Sequence, residues 1–202
     1  VVSAPPDATT VLKTRLVKGD APDIISLSAD RSFADFVDAN ILEDLSGKID
    51  FSVIDPIYNQ MLKALEIESV DGIYGVPYAL NASGVIYNKD IFEELGLSIP
   101  KTWDEFLGLA QAVQDNGITP FYFTLKESWT SLPAWNTIAS TLVSSDSFKK
   151  VNSKETTFNE IYSETTDKIM KLMKYGHSDN FGVGYNDGNT AFANGESAMY
   201  LQ

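Results

Sequence analysis

Residues 84–125 read GVIYNKDIFEELGLSIPKTWDEFLGLAQAVQDNGITPFYFTL. Four elements are legible in this stretch. Residues 84–88 hold Val85-Ile86-Tyr87, a β-branched and aromatic run with the composition of a strand. A short helix follows from Asp90 and stops at Gly96, with Asn88-Lys89-Asp90 as its cap. Thr102-Trp103-Asp104-Glu105 has the spacing of a capping box, in which hydroxyl and carboxylate each take a backbone N–H of the first turn. The helix behind it carries Phe106, Leu107, Leu109, Ala110 and Val113 and ends at Asn116-Gly117. Residues 120–125 then form an aromatic-rich strand. Strands that alternate with helices in this way predict an α/β protein with mostly parallel pairing.

The same alternation extends outward in both directions. Upstream, residues 1–4 have the look of a strand, broken by Pro5-Pro6. Asp7 is placed to cap a helix bearing Val11, Leu12 and Leu16, which Gly19 ends. Asp23-Ile24-Ile25-Ser26-Leu27 is a run of the buried-strand type. Residues 32–39 predict a helix with Phe33, Phe36 and Val37 on one face. Asp55-Pro56 is a cap followed by proline at the first helical position. Asp71-Gly72 marks a turn before residues 73–80, which alternate like a strand. Downstream, residues 132–143 and 155–175 read as helices, 151–157 as a polar surface loop, and 190–194 as a helical turn ended by Gly195. Both ends of the chain read as strands, so a piece of something longer is expected.

Composition narrows the function classes. The 202 residues are 44% apolar and 21% charged, which is ordinary for a globular protein, and there are no cysteines to staple a miniprotein. Fifteen basic against 28 acidic residues leave a net charge of −13. Nucleic-acid affinity rests on Lys and Arg neutralising phosphates, so a nucleic-acid partner is not expected. A neutral, cationic or small polar ligand suits this charge better.

The chemistry-bearing residues say more by elimination. His177 is the only histidine, and thiolates are absent, so neither a metal nor a cofactor is expected. The residue after helix-ending Gly176 is commonly a surface position, and His177 is read that way. Asn186-Asp187-Gly188-Asn189 is oxygen-rich, but the terminal bidentate acid of a calcium loop falls in the wrong place, and turn chemistry explains the run as well. Gly182-Val183-Gly184 lacks the third glycine of a dinucleotide fingerprint. No nucleophile elbow is present. What remains is aromatic and polar: Glu127-Ser128-Trp129 follows a strand and precedes a helix, where the loops of open α/β sheets form a ligand crevice. An indole face beside a carboxylate and hydroxyls suits a saccharide, whose C–H face packs on the ring while its hydroxyls are hydrogen-bonded. Core filling is the competing use of a tryptophan. It is the reading for Trp103 and Trp135, and both uses stay open for Trp129.

Six segments in order resemble one family. Gly19-Asp20-Ala21-Pro22-Asp23-Ile24 is similar to its "G-D-x-P-D-I", and Asn40-Ile41-Leu42-Glu43-Asp44-Leu45 to the "G-x-L-x-x-L" that follows. Asp71-Gly72-Ile73-Tyr74-Gly75-Val76-Pro77 resembles "D-G-K-x-Y-G-x-P". Tyr87-Asn88-Lys89-Asp90, Pro100-Lys101-Thr102-Trp103 and the run from Ala191 to Met199 resemble its "Y-N-K-D", "P-K-T-W" and "F-x-x-G-x-x-A-M". The family is that of the extracellular solute-binding proteins of ABC importers, in the sugar-binding branch that includes maltose-binding protein.

The resemblance implies a periplasmic-binding-protein-like (type II) α/β fold, with two hinged lobes that are both incomplete in this chain. Residues 1–80 would belong to the first lobe and 81–202 to the second, with a hinge crossing near 77–82. It implies non-catalytic binding of a mono- or oligosaccharide between the lobes and delivery to ABC permease subunits. A monomer is expected, at the extracellular face of the membrane or in the periplasm, with a lipid anchor if the source lacks an outer membrane. By position in the family's ligand segments, the expected binding residues are Ser28, Asp30, Arg31, Asn81, Glu127 and Trp129. Helix capping and a surface ion pair compete for Asp30 and Arg31. The alternatives are a binding protein for a polyamine, phosphoester or peptide, and a glycoside-active enzyme. Only Arg15 accompanies Arg31 as an arginine, which weighs against a phosphate pocket.

Overall fold

A computed structural model describes residues 8–65, 70–144 and 146–202. The contacts divide the chain into two compact units, Val1–Leu80 and Asn81–Gln202. The expected strand at 1–4 and the cap at Asp7 lie outside the described residues.

The first unit holds three helices, α1 (Ala8–Val17), α2 (Arg31–Asp38) and α3 (Pro56–Lys63). Asp55 caps α3 through its carboxylate, which accepts from the Ile57 N–H at 3.0 Å, as the Asp-Pro pair implies. Helix α2 is strongly two-faced and buries Phe33, Ala34, Phe36 and Val37. The loops around it are organised by Asp44, whose Oδ1 accepts from the Ser46 and Ile73 N–H groups at 2.9 and 3.1 Å. The hydrogen bonds to Ser46 and then to Ile73 hold the Asp44 carboxyl down at about 2. Gly72, at φ +116°, passes so close to this carboxylate that a Cβ there would lie 2.9 Å from its Cγ.

Two expectations fail in this unit. Residues 23–27 and 73–80 form no strand, and Ile24 is 88% exposed rather than buried. A strand is stable only when another pairs with it, and the described residues of this unit contain none.

The second unit is built on a three-stranded sheet in the order β1-β3-β2, from β1 (Val85–Tyr87), β2 (Thr119–Tyr122) and β3 (Ser197–Leu201). Strands β2 and β3 are parallel, with Phe121 opposite Met199, while β1 runs antiparallel to β3. The sheet is therefore mixed, not mostly parallel. Every residue of β3 is buried, because helices and neighbouring strands enclose it on all sides.

Helices α4 (Lys89–Glu94), α5 (Trp103–Asp115), α6 (Leu132–Leu142), α7 (Ser147–Asn152), α8 (Phe158–Met173) and α9 (Tyr185–Ala193) surround it. Helix α5 lays Phe106, Leu109, Ala110 and Val113 on Phe121 and Met199, and the Phe106 and Phe121 rings meet edge-on at 5.3 Å. Thr102 caps α5 as read, accepting from the Glu105 N–H at 3.2 Å. Glu105 reaches back one residue further than a capping box requires, to the Lys101 N–H at 2.6 Å. The full box forms at α8, where Thr157 and Glu160 satisfy each other's backbone donors. Helix α7 takes the first residues of the stretch read as a loop at 151–157.

Candidate functional site

The carboxyl end of β2 runs into Phe123 and Thr124 and then turns into residues 125–131. Thr130 sets the path of this turn. It is 5% exposed, and its hydroxyl is shared between the Glu127 carbonyl, at 2.6 Å, and the Thr124 carbonyl. A buried hydroxyl that holds two carbonyls folds the loop back on itself and pushes Glu127, Ser128 and Trp129 outward. Residues 128–131 complete a single 3₁₀ turn before α6.

A second segment is sewn against the first. The Leu125 N–H donates to the Asn180 carbonyl at 2.8 Å and the Lys126 N–H to the Val183 carbonyl at 3.3 Å. Helix α9 then starts at Tyr185, five residues before the helical turn read at 190–194. The Asn-Asp-Gly-Asn run that reads as a turn is its first turns. Burial overrides local preference here: Gly188 packs so close to Thr124 that a Cβ would overlap that side chain's methyl.

This start brings Tyr185 against Trp129, with ring centroids 4.9 Å apart and planes at 57°. Trp129 remains 48% exposed. Glu127 lies beside the pair, and its Oε2 accepts from the Tyr185 N–H at 3.1 Å. The site in this unit is thus an open aromatic corner with a carboxylate and a serine on its rim. A second carboxylate, Asp187, lies with Glu127 beside Gly184. At the end of β2, burial first, and then the charges of Glu196, Asp187 and Asp179, push the Tyr122 phenol upward. Among the described residues, no three His, Cys, Asp or Glu side chains gather as a metal would need.

The remaining sequence-selected residues have identifiable local work. Asp30 caps α2, its Oδ1 accepting from the Ser32 N–H at 2.8 Å with one of its two oxygens. Arg31 donates from Nε to Asp35 Oδ1 at 2.8 Å, one helical turn on, and stays largely exposed. Ser28 is exposed, its carbonyl accepting from the Asp30 N–H at 2.9 Å. Asn81 is exposed at the start of the second unit. The structure brings Glu127 and Trp129 together. It adds Tyr185, which sequence reading missed, although an aromatic directly after Gly182-Val183-Gly184 was the available signal.

The other aromatic positions resolve differently. Trp103 packs against the core of the second unit with the Lys168 ammonium 4.3 Å above its ring. Trp135 meets Tyr162 at 5.7 Å on the helical side. His177 is not a free surface residue. Its Nε2 is 2.9 Å from the Phe123 carbonyl, its Nδ1 accepts from the Asp179 N–H, and its ring lies 4.0 Å from Tyr122. It fastens the loop before α9 to the end of β2.

Comparison with known proteins gives one consistent picture. A family model described as bacterial extracellular solute-binding protein matches residues 2–202. The multiple sugar-binding protein of Streptococcus mutans is 34% identical over 206 residues, covering 96% of this chain and 47% of that protein. Among solved structures, RafE in complex with raffinose superposes with a TM-score of 0.74 at 30% identity, over 100% of this chain and 53% of that one, and the apo form of RafE from Streptococcus pneumoniae with 0.70 at 28%. A chitin oligosaccharide binding protein gives a TM-score of 0.78 at 25% identity, over 95% of this chain and 49% of its own. The chain spans about half the length of the relatives it matches.

Proposed function

Because the chain belongs to the family of bacterial extracellular solute-binding proteins, we propose that it acts as the saccharide-binding component of an ABC importer, holding its ligand without reacting with it. Its fold is that of the type II periplasmic binding proteins. The observation that carries the saccharide reading is the half-exposed Trp129 ring cornered by Tyr185 at the end of β2. A pyranose presents a flat C–H face to such a ring, and its hydroxyls reach the polar rim. Two relatives whose names state a ligand point the same way: raffinose for RafE, sugars for the streptococcal protein.

In this reading residues 1–80 are part of the first lobe, 81–202 part of the second, and 77–82 the hinge crossing. Ser28, Asp30, Arg31 and Asn81 hydrogen-bond the ligand as the lobes close. The closed form is then read by the permease subunits at the outer face of the membrane or in the periplasm. A thermal-shift and calorimetric screen of mono- and oligosaccharides, raffinose included, tests this. Binding with no product after prolonged incubation supports it. A response to a polyamine or peptide and to no saccharide would sink it, and release of a hydrolysed sugar would favour a glycoside-active enzyme.

A further inference from the structure

Glu127 stands where a ligand-contacting carboxylate is expected, yet its side chain is hydrogen-bonded to the protein's own backbone. The residue that caps helix α9 is Gly184, which has no side chain to satisfy the first N–H groups of the helix. Those groups need acceptors, and one comes from 58 residues away: Glu127 Oε2 takes the Tyr185 N–H at 3.1 Å. A negative charge at a helix amino terminus is favourable in its own right.

The fit is close. Gly184 is buried, and a Cβ placed on it would lie 3.0 Å from Glu127 Oε1. The carboxylate thus occupies the space that the missing side chain leaves. Glu127 is itself held from behind, because its carbonyl accepts from the buried Thr130 hydroxyl at 2.6 Å. Two residues further along the same turn stands Trp129, and the residue whose N–H is taken is Tyr185. One carboxylate therefore ties together the two chain segments that carry the aromatic corner.

We infer that Glu127 is a positioning residue: it caps α9 from the opposite loop and thereby sets the angle between Tyr185 and Trp129, so that it governs ligand affinity through the ring geometry. This rests on the saccharide reading for its effect on affinity, but not for its effect on the free protein. Glutamine keeps an acceptor oxygen at the same reach, whereas alanine removes it.

The test pairs two measurements on Glu127→Ala, Glu127→Gln and Gly184→Ala. Amide hydrogen exchange at Tyr185 is read without ligand, and raffinose affinity is read by calorimetry. Glu127→Ala and Gly184→Ala are expected to speed Tyr185 exchange by about tenfold or more and to weaken raffinose binding by about tenfold, with Glu127→Gln restoring most of both. Unchanged Tyr185 exchange in Glu127→Ala overturns the inference. So does a Glu127→Gln protein that keeps Tyr185 protected yet binds as poorly as Glu127→Ala, since that marks direct ligand contact. If the unaltered protein does not bind raffinose, the exchange arm alone decides the capping role. A cooperative thermal melt of each variant shows that it folds, with Glu127→Ala melting somewhat lower than its parent.

Discussion

Gly188→Ala puts the placement of helix α9 to a quantitative test. In an exposed helix interior this substitution stabilises by about 0.5–1 kcal/mol, because alanine has less backbone freedom to lose. Here the sign should reverse. The added Cβ would overlap Thr124 Cγ2 and stand 3.1 Å from the Tyr200 hydroxyl oxygen. Thr124 is 2% exposed and Tyr200 3%, so neither side chain has room to retreat. Overpacking of this kind costs about 1–3 kcal/mol, which leaves a net loss of up to about 2.5 kcal/mol after the helix gain. Urea unfolding followed by far-UV circular dichroism measures it. The double variant Gly188→Ala/Thr124→Ser sharpens the reasoning, because serine keeps the hydroxyl and lacks the obstructing methyl. In that background the alanine should be neutral or stabilising, a coupling that only neighbours show. A Gly188→Ala protein more stable than its parent would refute the packing of α9 on Thr124, and with it the position of Tyr185.

Three further outcomes follow from the same structure. Thr130→Val should cost about 1–3 kcal/mol, since it leaves the Thr124 and Glu127 carbonyls short of a donor, and an unchanged urea midpoint would contradict the loop's geometry. Phe121→Ala should cost about 3–5 kcal/mol, because the ring is fully buried between Phe106 and Phe123; a loss below 1 kcal/mol would mean that the core lies elsewhere. The Asp44 carboxyl is lowered to about 2 in the folded chain, below its ordinary 3.8, so its stabilising share is complete above about pH 4 and disappears as pH falls toward 2. Asp44→Asn keeps the acceptor oxygen and should flatten that acid limb of the stability profile, and an identical limb in both proteins would count against the Asp44 network.

The extent to which the chain could be read without coordinates follows from where each signal acts. Helix starts were legible because a cap is chemistry within four residues: Asp30, Asp55, Asn88 and Thr102 each accept a backbone N–H of the helix they open. The strands of the second unit were legible from their β-branched and aromatic composition, in the half-buried Val85-Ile86-Tyr87 as in the wholly buried run ending at Leu201. Residues 23–27 and 73–80 were misread, because strand composition has meaning only beside a partner strand. The candidate site was half legible. Trp129 and Glu127 announce themselves as an aromatic and an acid after a strand. Tyr185 does not, because its position depends on a helix whose first turns look like a loop until Gly188 meets Thr124 across 64 residues.

The most direct measurement is the affinity of the Trp129→Ala protein for the best saccharide found in the screen, compared with its parent by isothermal titration calorimetry. About half of the Trp129 surface is open, so a stacked sugar removes roughly 120 Å² of it from water, which at ~25 cal/mol per Å² bounds the contribution near 3 kcal/mol. A loss of about 1–3 kcal/mol, or roughly 5- to 150-fold in Kd, is expected, with the sugar recovered intact from both proteins. Equal affinity in the two proteins, or a sugar returned cleaved, would contradict the claim that an open aromatic corner grips a saccharide and leaves it unchanged.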